Sequence, residues 1–456
     1  MKKVVIINAV GLTSSGTEQM PFLRKWSEKK SKAHIRPTFP AVTCSAQTTY
    51  LTGKHPSAHG IVGNGWYFKT DCEVKFWRQS NKLVQAEKIW DRMKSEDPSS
   101  TCSNMFWWYN MYSTADFSVT PRPNYLADGR KLPDIYSHPA NLRDKLQEEL
   151  GTFPLFDFWG PRTSIKSSQW IARASMLTDK MHDPTLTLIY LPHLDYNYQR
   201  HGKDHPSIPR DLKELDAVMK ELITYYESGN ARVMVLSEYG ISDVHQPVHL
   251  NRHLRKEGLL AIREERGLEL LDAGASQAFA VADHQVAHIY LNDTDITAKV
   301  KTLLENIPGV EHVLDAEGKK KWHIDHDRAG DLVAIADKDS WFTYYYWMDD
   351  NKSPDFARIV DIHKKPGYDP VEMHTNPKIK FLIPRIAFKV LKKKLGFRML
   401  MDVIPLDATL IKGSHGRIPE DKKDWPVLIS SEPALLPADH LEAVEVYDVI
   451  YKHLTN

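Results

Sequence analysis

Val4-Val5-Ile6-Ile7-Asn8-Ala9-Val10-Gly11 lies at the start of the chain, and two similar runs follow far downstream: Leu186-Thr187-Leu188-Ile189-Tyr190-Leu191 and Val233-Met234-Val235-Leu236. Each run is short, rich in branched apolar residues and free of polar alternation. A strand with one face in water alternates apolar and polar residues, so these runs suit parallel strands buried on both faces. Arg143–Leu150 and Leu212–Tyr225 lie between them and carry apolar residues at three- and four-residue spacing, which predicts helices. Strands alternating with helices predict an α/β fold, a mostly parallel sheet with helices on both faces. In such sheets the loops leaving the C-terminal strand ends gather at one edge, where sites form. Every chemically suggestive segment of this chain follows one of the strand-like runs.

The 456 residues include 60 basic and 59 acidic side chains, a balance without the basic excess of a nucleic-acid binder. Mean hydropathy is −0.45, and no apolar run reaches the roughly 20 residues that span a bilayer. The first apolar run is too short for a signal peptide and lacks a small-residue cleavage site, so the expected location is cytoplasmic. Cys44, Cys72 and Cys102 form neither a disulfide framework nor a CxxC zinc pattern. Residues 255–345 change character: Phe279–Ala282 and His288–Leu291 flank a short stretch, and Ile296–Ile307 reads as a helix. The expected organisation is a core over 1–254, an inserted α+β cap lobe over 255–345, and a return to the core over 346–456. The aromatic cluster Phe106–Tyr112 reads as core or pocket wall, not as a base-stacking platform, because no basic stripe accompanies it. The basic run Lys389, Lys392, Lys393, Lys394 and Arg398 reads as a solvated helix face, with a membrane-surface or anionic-ligand role as the alternative.

The chemistry centres on Phe39-Pro40-Ala41-Val42-Thr43-Cys44-Ser45-Ala46-Gln47-Thr48-Thr49-Tyr50-Leu51-Thr52-Gly53, followed by His55-Pro56-Ser57-Ala58-His59-Gly60-Ile61-Val62-Gly63-Asn64. A threonine opening a helix can aim its hydroxyl at a bound phosphoryl group, where first-turn N–H groups favour an anion. It can equally serve as a plain N-cap. The segment resembles the nucleophile region of the nucleotide pyrophosphatase/phosphodiesterase branch of the alkaline phosphatase superfamily. That pattern is a Phe-Pro turn, a nucleophilic threonine, a helix ending in Thr-Gly, and then Pro-x-x-His-Gly-Ile. The resemblance implies an alkaline-phosphatase-like core and a site for divalent metals.

The family's metal ligands are only partly present. Val10 stands where the family has an aspartate before glycine, and Asn8 lies on the same strand face. In Tyr190-Leu191-Pro192-His193-Leu194-Asp195-Tyr196-Asn197-Tyr198-Gln199-Arg200-His201-Gly202, Asp195 is kept and Gln199 replaces a histidine. His193 and His201 are nearby candidates, and His193 would face the same way as Asp195 in extended backbone. The Ser-Asp-His-Gly motif reads Ser237-Glu238-Tyr239-Gly240, and the late Gly-x-His-Gly motif is kept as Gly413-Ser414-His415-Gly416. Asp283-His284 is the first extra ligand candidate, and Asp361 with His363 the second.

The resemblance therefore implies a metal-dependent hydrolase of a phosphate ester, phosphodiester or pyrophosphate. Thr43 is its nucleophile, and the metal ligands are Asp195, Glu238, His284 and His415. Asn8, Gln47, Gln199 and Tyr239 are the substrate contacts. One metal site is expected, for zinc, or for Mg²⁺ or Mn²⁺ given the carboxylates. Tyr239 or Arg200 is expected to restore some of the lost charge stabilisation. The implied partner is a small phosphorylated molecule. The competing readings are a non-catalytic phosphate-ligand binder with a degenerate metal site and a phosphonate-cleaving or transferase variant.

Overall fold

The computed structural model describes residues 1–456 and has the mixed α/β architecture read from the sequence. The opening run forms β1 (Val4–Ala9), buried along its whole length. Its sheet is completed by β2 (Ser31–Arg36), β3 (Cys102–Met105), β4 (Phe117–Pro121), β5 (Ile135–His138), β6 (Leu186–Leu191), β7 (Arg232–Leu236), β8 (Val427–Ser430) and β9 (His440–Glu442). The spatial order is β9-β2-β8-β7-β1-β6-β3-β4-β5. β1 pairs parallel with both β6 and β7, and β3 continues the parallel set beside β6. β8 is antiparallel to both β7 and β2, and β5 is antiparallel to β4. The central strands β1 and β6 are buried throughout, as their lack of alternation requires.

Five helices matter below. α1 (Thr43–Thr52) is buried along its whole length, packs near the C-terminal helix and ends at Gly53. Gly53 has φ of +63°, which glycine adopts without a Cβ penalty. α2 (Ile165–His182) and α4 (Ile208–Ser228) pack on one another, and α3 (His193–His201) follows β6 directly. α5 (Leu382–Lys394) has no buried residue. The basic residues Lys392, Lys394 and Arg398 are solvated, as the sequence reading expects, and α5 and its flanks also present large apolar side chains to water.

A second, antiparallel sheet is built from Ala278–Asp283, Val286–Leu291, Leu332–Ala336 and Val310–Leu314, in that spatial order. The hydrophobic cluster around it includes Phe39, Cys44, Ile61 and Tyr109 as well as Tyr344, Tyr368 and Ile411. Segments from both ends of the chain are therefore packed against this sheet. The cluster at 106–112 is largely core: Phe106, Trp107 and Tyr109 are buried, and Tyr112 projects into solvent.

Candidate active site

Three neighbouring strands deliver the site. The C-terminal ends of β6, β1 and β7 lead into Pro192–Asp195, Val10–Gly11 and Ser237–Gly240. β2 is parallel in direction to β7, because each is antiparallel to β8, and it feeds α1 from the same edge. His415 enters on a short strand, Gly413–Ser414, that pairs with Ser242–Asp243 beyond β7. A Cβ at Gly413 would stand 2.2 Å from the Tyr198 carbonyl oxygen, so only glycine allows this approach.

Thr43 is the first residue of α1, and Val42 occupies the N-cap. Its hydroxyl hydrogen-bonds the Tyr239 hydroxyl at 3.0 Å instead of capping its own helix. Tyr239 in turn donates to Asp195 Oδ1 over a long 3.5 Å. The Tyr239 ring stacks on His415 with centroids 3.6 Å apart, and His415 Nε2 lies 3.8 Å from Asp195 Oδ1. His284 extends the stack, 3.7 Å from His415 and 3.6 Å from Tyr368, centroid to centroid. Thr43, Asp195, Tyr239, His284 and His415 are all buried.

Glu238 lies beside them. Its Oε1 accepts from Asn8 Nδ2 and from Gln47 Nε2, each at 2.6 Å. Gln47 Oε1 accepts from the Trp108 backbone N–H at 2.7 Å, which fixes the amide's orientation. Asn8, the polar residue of fully buried β1, thus finds a partner across the sheet. Glu238 Oε2 is buried and has no partner. The partner of the Thr43 hydroxyl is Tyr239, not Glu238. Gln199 is engaged at both ends, donating to Asp195 Oδ2 at 2.8 Å and accepting from Tyr368 at 2.9 Å.

Burial dominates the electrostatics. It raises Asp195 to about 7 and Glu238 to about 8, with hydrogen bonds to Gln199 and to Gln47 and Asn8 pulling the other way. Burial pushes the Tyr239 phenol well up, and Asp195 adds to this. Burial also pushes His284 and His415 well below the ordinary imidazole value, and His284 depresses His415 further. The Asp195–His415 approach is therefore a contact of a neutral imidazole, not an ion pair.

These donors do not fit a two-metal centre. Val10 offers no ligand, the Tyr239 phenol keeps its proton, and both amide ends of Gln199 are committed. The group of histidine and carboxylate ligand atoms gathered within 4.8 Å of one another is His193, Asp211 and Glu214, away from Thr43, and the residues beside Thr43 with free ligand atoms are His415, His284 and Asp195. His415 Nδ1 bonds the Ala41 carbonyl at 2.8 Å and His284 Nδ1 bonds the Asp283 carboxylate at 2.7 Å, which leaves both Nε2 atoms as acceptors. Imidazoles anchored through one nitrogen in this way are oriented as metal ligands. Asp195 is the carboxylate beside them.

The remaining sequence candidates lie elsewhere. α3 is helical, so residues two apart point to opposite sides, and His193 does not share a face with Asp195. His193 instead meets Glu214 at 3.3 Å and Asp211 at 4.0 Å, a grouping already faced by the Arg210 guanidinium. His201 stacks on His205. His363 faces the Phe76 carbonyl and the Tyr125 ring, and Asp361 accepts no bond from the site. Sequence reasoning did not assign Tyr368, Trp108 or Asn64. Asn64 Oδ1 accepts from the Cys44 N–H at the start of α1, and its own amides donate to Asp283. Asn64 ends the 55–64 segment and Tyr368 lies just after His363, but their partners Asp283 and Gln199 lie far away in the chain.

The sequence profile of type I phosphodiesterases / nucleotide pyrophosphatases matches residues 4–369. An uncharacterized pyrophosphatase/phosphodiesterase of Schizosaccharomyces pombe is 26% identical over 216 residues, which is 45% of this chain and 37% of that protein. The match thus spans little more than a third of that relative. Murine ectonucleotide pyrophosphatase / phosphodiesterase 5, solved as an inactive threonine-to-alanine variant with AMP, superposes with a TM-score of 0.60 at 14% identity. That superposition covers 100% of this chain and 95% of the murine one. Phosphonoacetate hydrolase of Sinorhizobium meliloti, solved with phosphonoacetate, gives 0.63 at 15% identity, covering 100% and 96%. At these identities the structural likeness establishes the fold.

Proposed function

The chain belongs to the type I phosphodiesterase / nucleotide pyrophosphatase family, and on that premise we propose that it hydrolyses a small phosphate ester or diester with Thr43 as nucleophile. The observation that carries this reading is the Thr43 hydroxyl, which is withdrawn from its own helix and bonded to Tyr239 at the edge where three strands deliver Asp195, Glu238 and Tyr239. Thr43 Oγ forms a bond to phosphorus, the bond to the leaving oxygen breaks, and water later cleaves the threonyl phosphate. Glu238 holds its own proton in most molecules at neutral pH, and its ionised fraction is the acceptor we assign to the Thr43 proton, through Oε2, which has no other partner. Tyr239 stays protonated and holds the attacking oxygen by a hydrogen bond.

No lysine or arginine side chain bonds any of these groups, and a phosphate would face Asp195 and Glu238. This electrostatic gap supports a divalent cation, in keeping with the general metal dependence of the family. Asp195, His284 and His415 would hold it. When bound, it would supply positive charge to the phosphoryl oxygens. The test is turnover of nitrophenyl phosphate mono- and diesters by protein loaded with Zn²⁺, Mn²⁺ or Mg²⁺. Thr43→Ala is expected to abolish turnover, and full activity in that variant would remove the nucleophile. A second reading, binding without turnover, draws on Val10, Gln199 and Tyr239. It is supported if wild-type protein binds AMP but hydrolyses none of the esters with any of the three metals.

A further inference from the structure

The surface of the protein is apolar in one place above all. Of the 14 large hydrophobic residues left exposed, eight fall between 381 and 400: Phe381, Ile383, Phe388, Val390, Leu391, Leu395, Phe397 and Leu400. They belong to α5 and its flanks. At about 100° per residue, Ile383, Ala387, Phe388, Val390, Leu391 and Leu395 fall within an arc of about 160°. Leu382 and Ile386 lie outside that arc and are the residues that pack on the protein. The wide apolar face of α5 therefore points away from the core, the reverse of a surface helix in a soluble domain.

The charge on the same segment has one sign. Residues 374–401 hold eight lysines and arginines and no aspartate or glutamate. Arg385 and Lys389 are tied to Asp402 at the base of the helix. Lys378, Lys380, Lys392, Lys393, Lys394 and Arg398 have no acidic partner. A protein partner would need to match an apolar face and a surplus of positive charge together. An anionic bilayer surface does both, with acyl chains for the phenylalanines and leucines and headgroup phosphates for the lysines. No helix of the protein is long and apolar enough to cross a membrane, so α5 would lie in the interface plane.

We propose that α5 and its flanks, residues 381–400, dock the protein on anionic lipid bilayers. The inference rests on this surface alone, and its test reads binding, not hydrolysis. Full-length protein is sedimented with vesicles of phosphatidylcholine alone and of phosphatidylcholine mixed with phosphatidylglycerol. At least about tenfold stronger partitioning to the anionic vesicles is expected, falling as salt is raised. Phe388→Asp and Leu391→Asp remove the apolar contact at exposed positions, so they should abolish partitioning while circular dichroism stays unchanged. Lys392→Glu with Lys393→Glu should weaken it on anionic vesicles only. Absence of partitioning, or equal partitioning by Phe388→Asp, overturns the proposal. A stable dimer in sedimentation equilibrium that Phe388→Asp dissociates also overturns it, since a second copy would then cover the face.

Discussion

Glu238→Gln should make the metal-free protein more stable and, at the same time, inactive. The two amides on Oε1 need only an acceptor oxygen, and glutamine supplies one in the same place. The carboxyl, however, titrates near 8 in the fold and near 4.5 when unfolded. Between those values the folded state holds a proton that the unfolded state has lost. Wild-type stability therefore falls as pH rises through that window, by about 1.4 kcal/mol per pH unit. Glutamine does not titrate, so the variant's advantage grows with pH, reaching about 3 kcal/mol at pH 7 relative to pH 4.5. The assay is urea unfolding of chelator-treated wild type and variant across pH 4.5–8, reading the difference between them. Contributions from other titrating groups cancel in that difference. Turnover by the metal-loaded variant should drop by about a hundredfold or more, because the proton acceptor for Thr43 is gone. A stability difference that stays flat across this range would refute the buried, protonated carboxyl. Retained turnover would refute its role as base.

Tyr239→Phe keeps the ring on His415 but leaves the Thr43 hydroxyl without its 3.0 Å partner. A drop in kcat of about tenfold to a hundredfold is expected, with KM little changed, measured by steady-state kinetics on a nitrophenyl ester. In acid, His59 and His288 should destabilise the fold, since burial depresses them to about 3 and about 4. Their unfolded value lies near 6.5, so this stability is complete above pH 6.5 and is lost as pH falls toward 4. The cost is about 2 kcal/mol per histidine by pH 5, read from urea midpoints of the Glu238→Gln protein.

The fold was legible because its signals are local. β1, β6 and β7 announce themselves by unbroken apolar runs, and α1 by its Thr-Gly end. The convergence of Asp195, Glu238 and His415 on Thr43 follows from topology once those strands are adjacent. What the sequence conceals is how the substituted positions are reused. Nothing local says that Asn8 and Gln47 clamp Glu238 from 230 and 191 residues away. Nothing local says that Gln199 turns to Tyr368, or that His284 comes to stack on His415. His193 was misread because a run that looked extended is the first turn of a helix. The solvated basic face was legible, but charge spacing alone cannot tell which side of a helix its few core contacts will hold down, so the exposed apolar face was not.

The register of β1 also sets a timetable for synthesis. Its partners begin at residues 186 and 232, so β1 must wait for well over a hundred further residues before either neighbour exists. β8, beside β7, arrives only after residue 426. Pairing between such distant segments is slow, since loop closure precedes any gain in contacts. During translation the apolar β1 therefore has no sheet to join, and ribosome-bound chains stalled before residue 186 should be captured by chaperones that recognise exposed aliphatic segments.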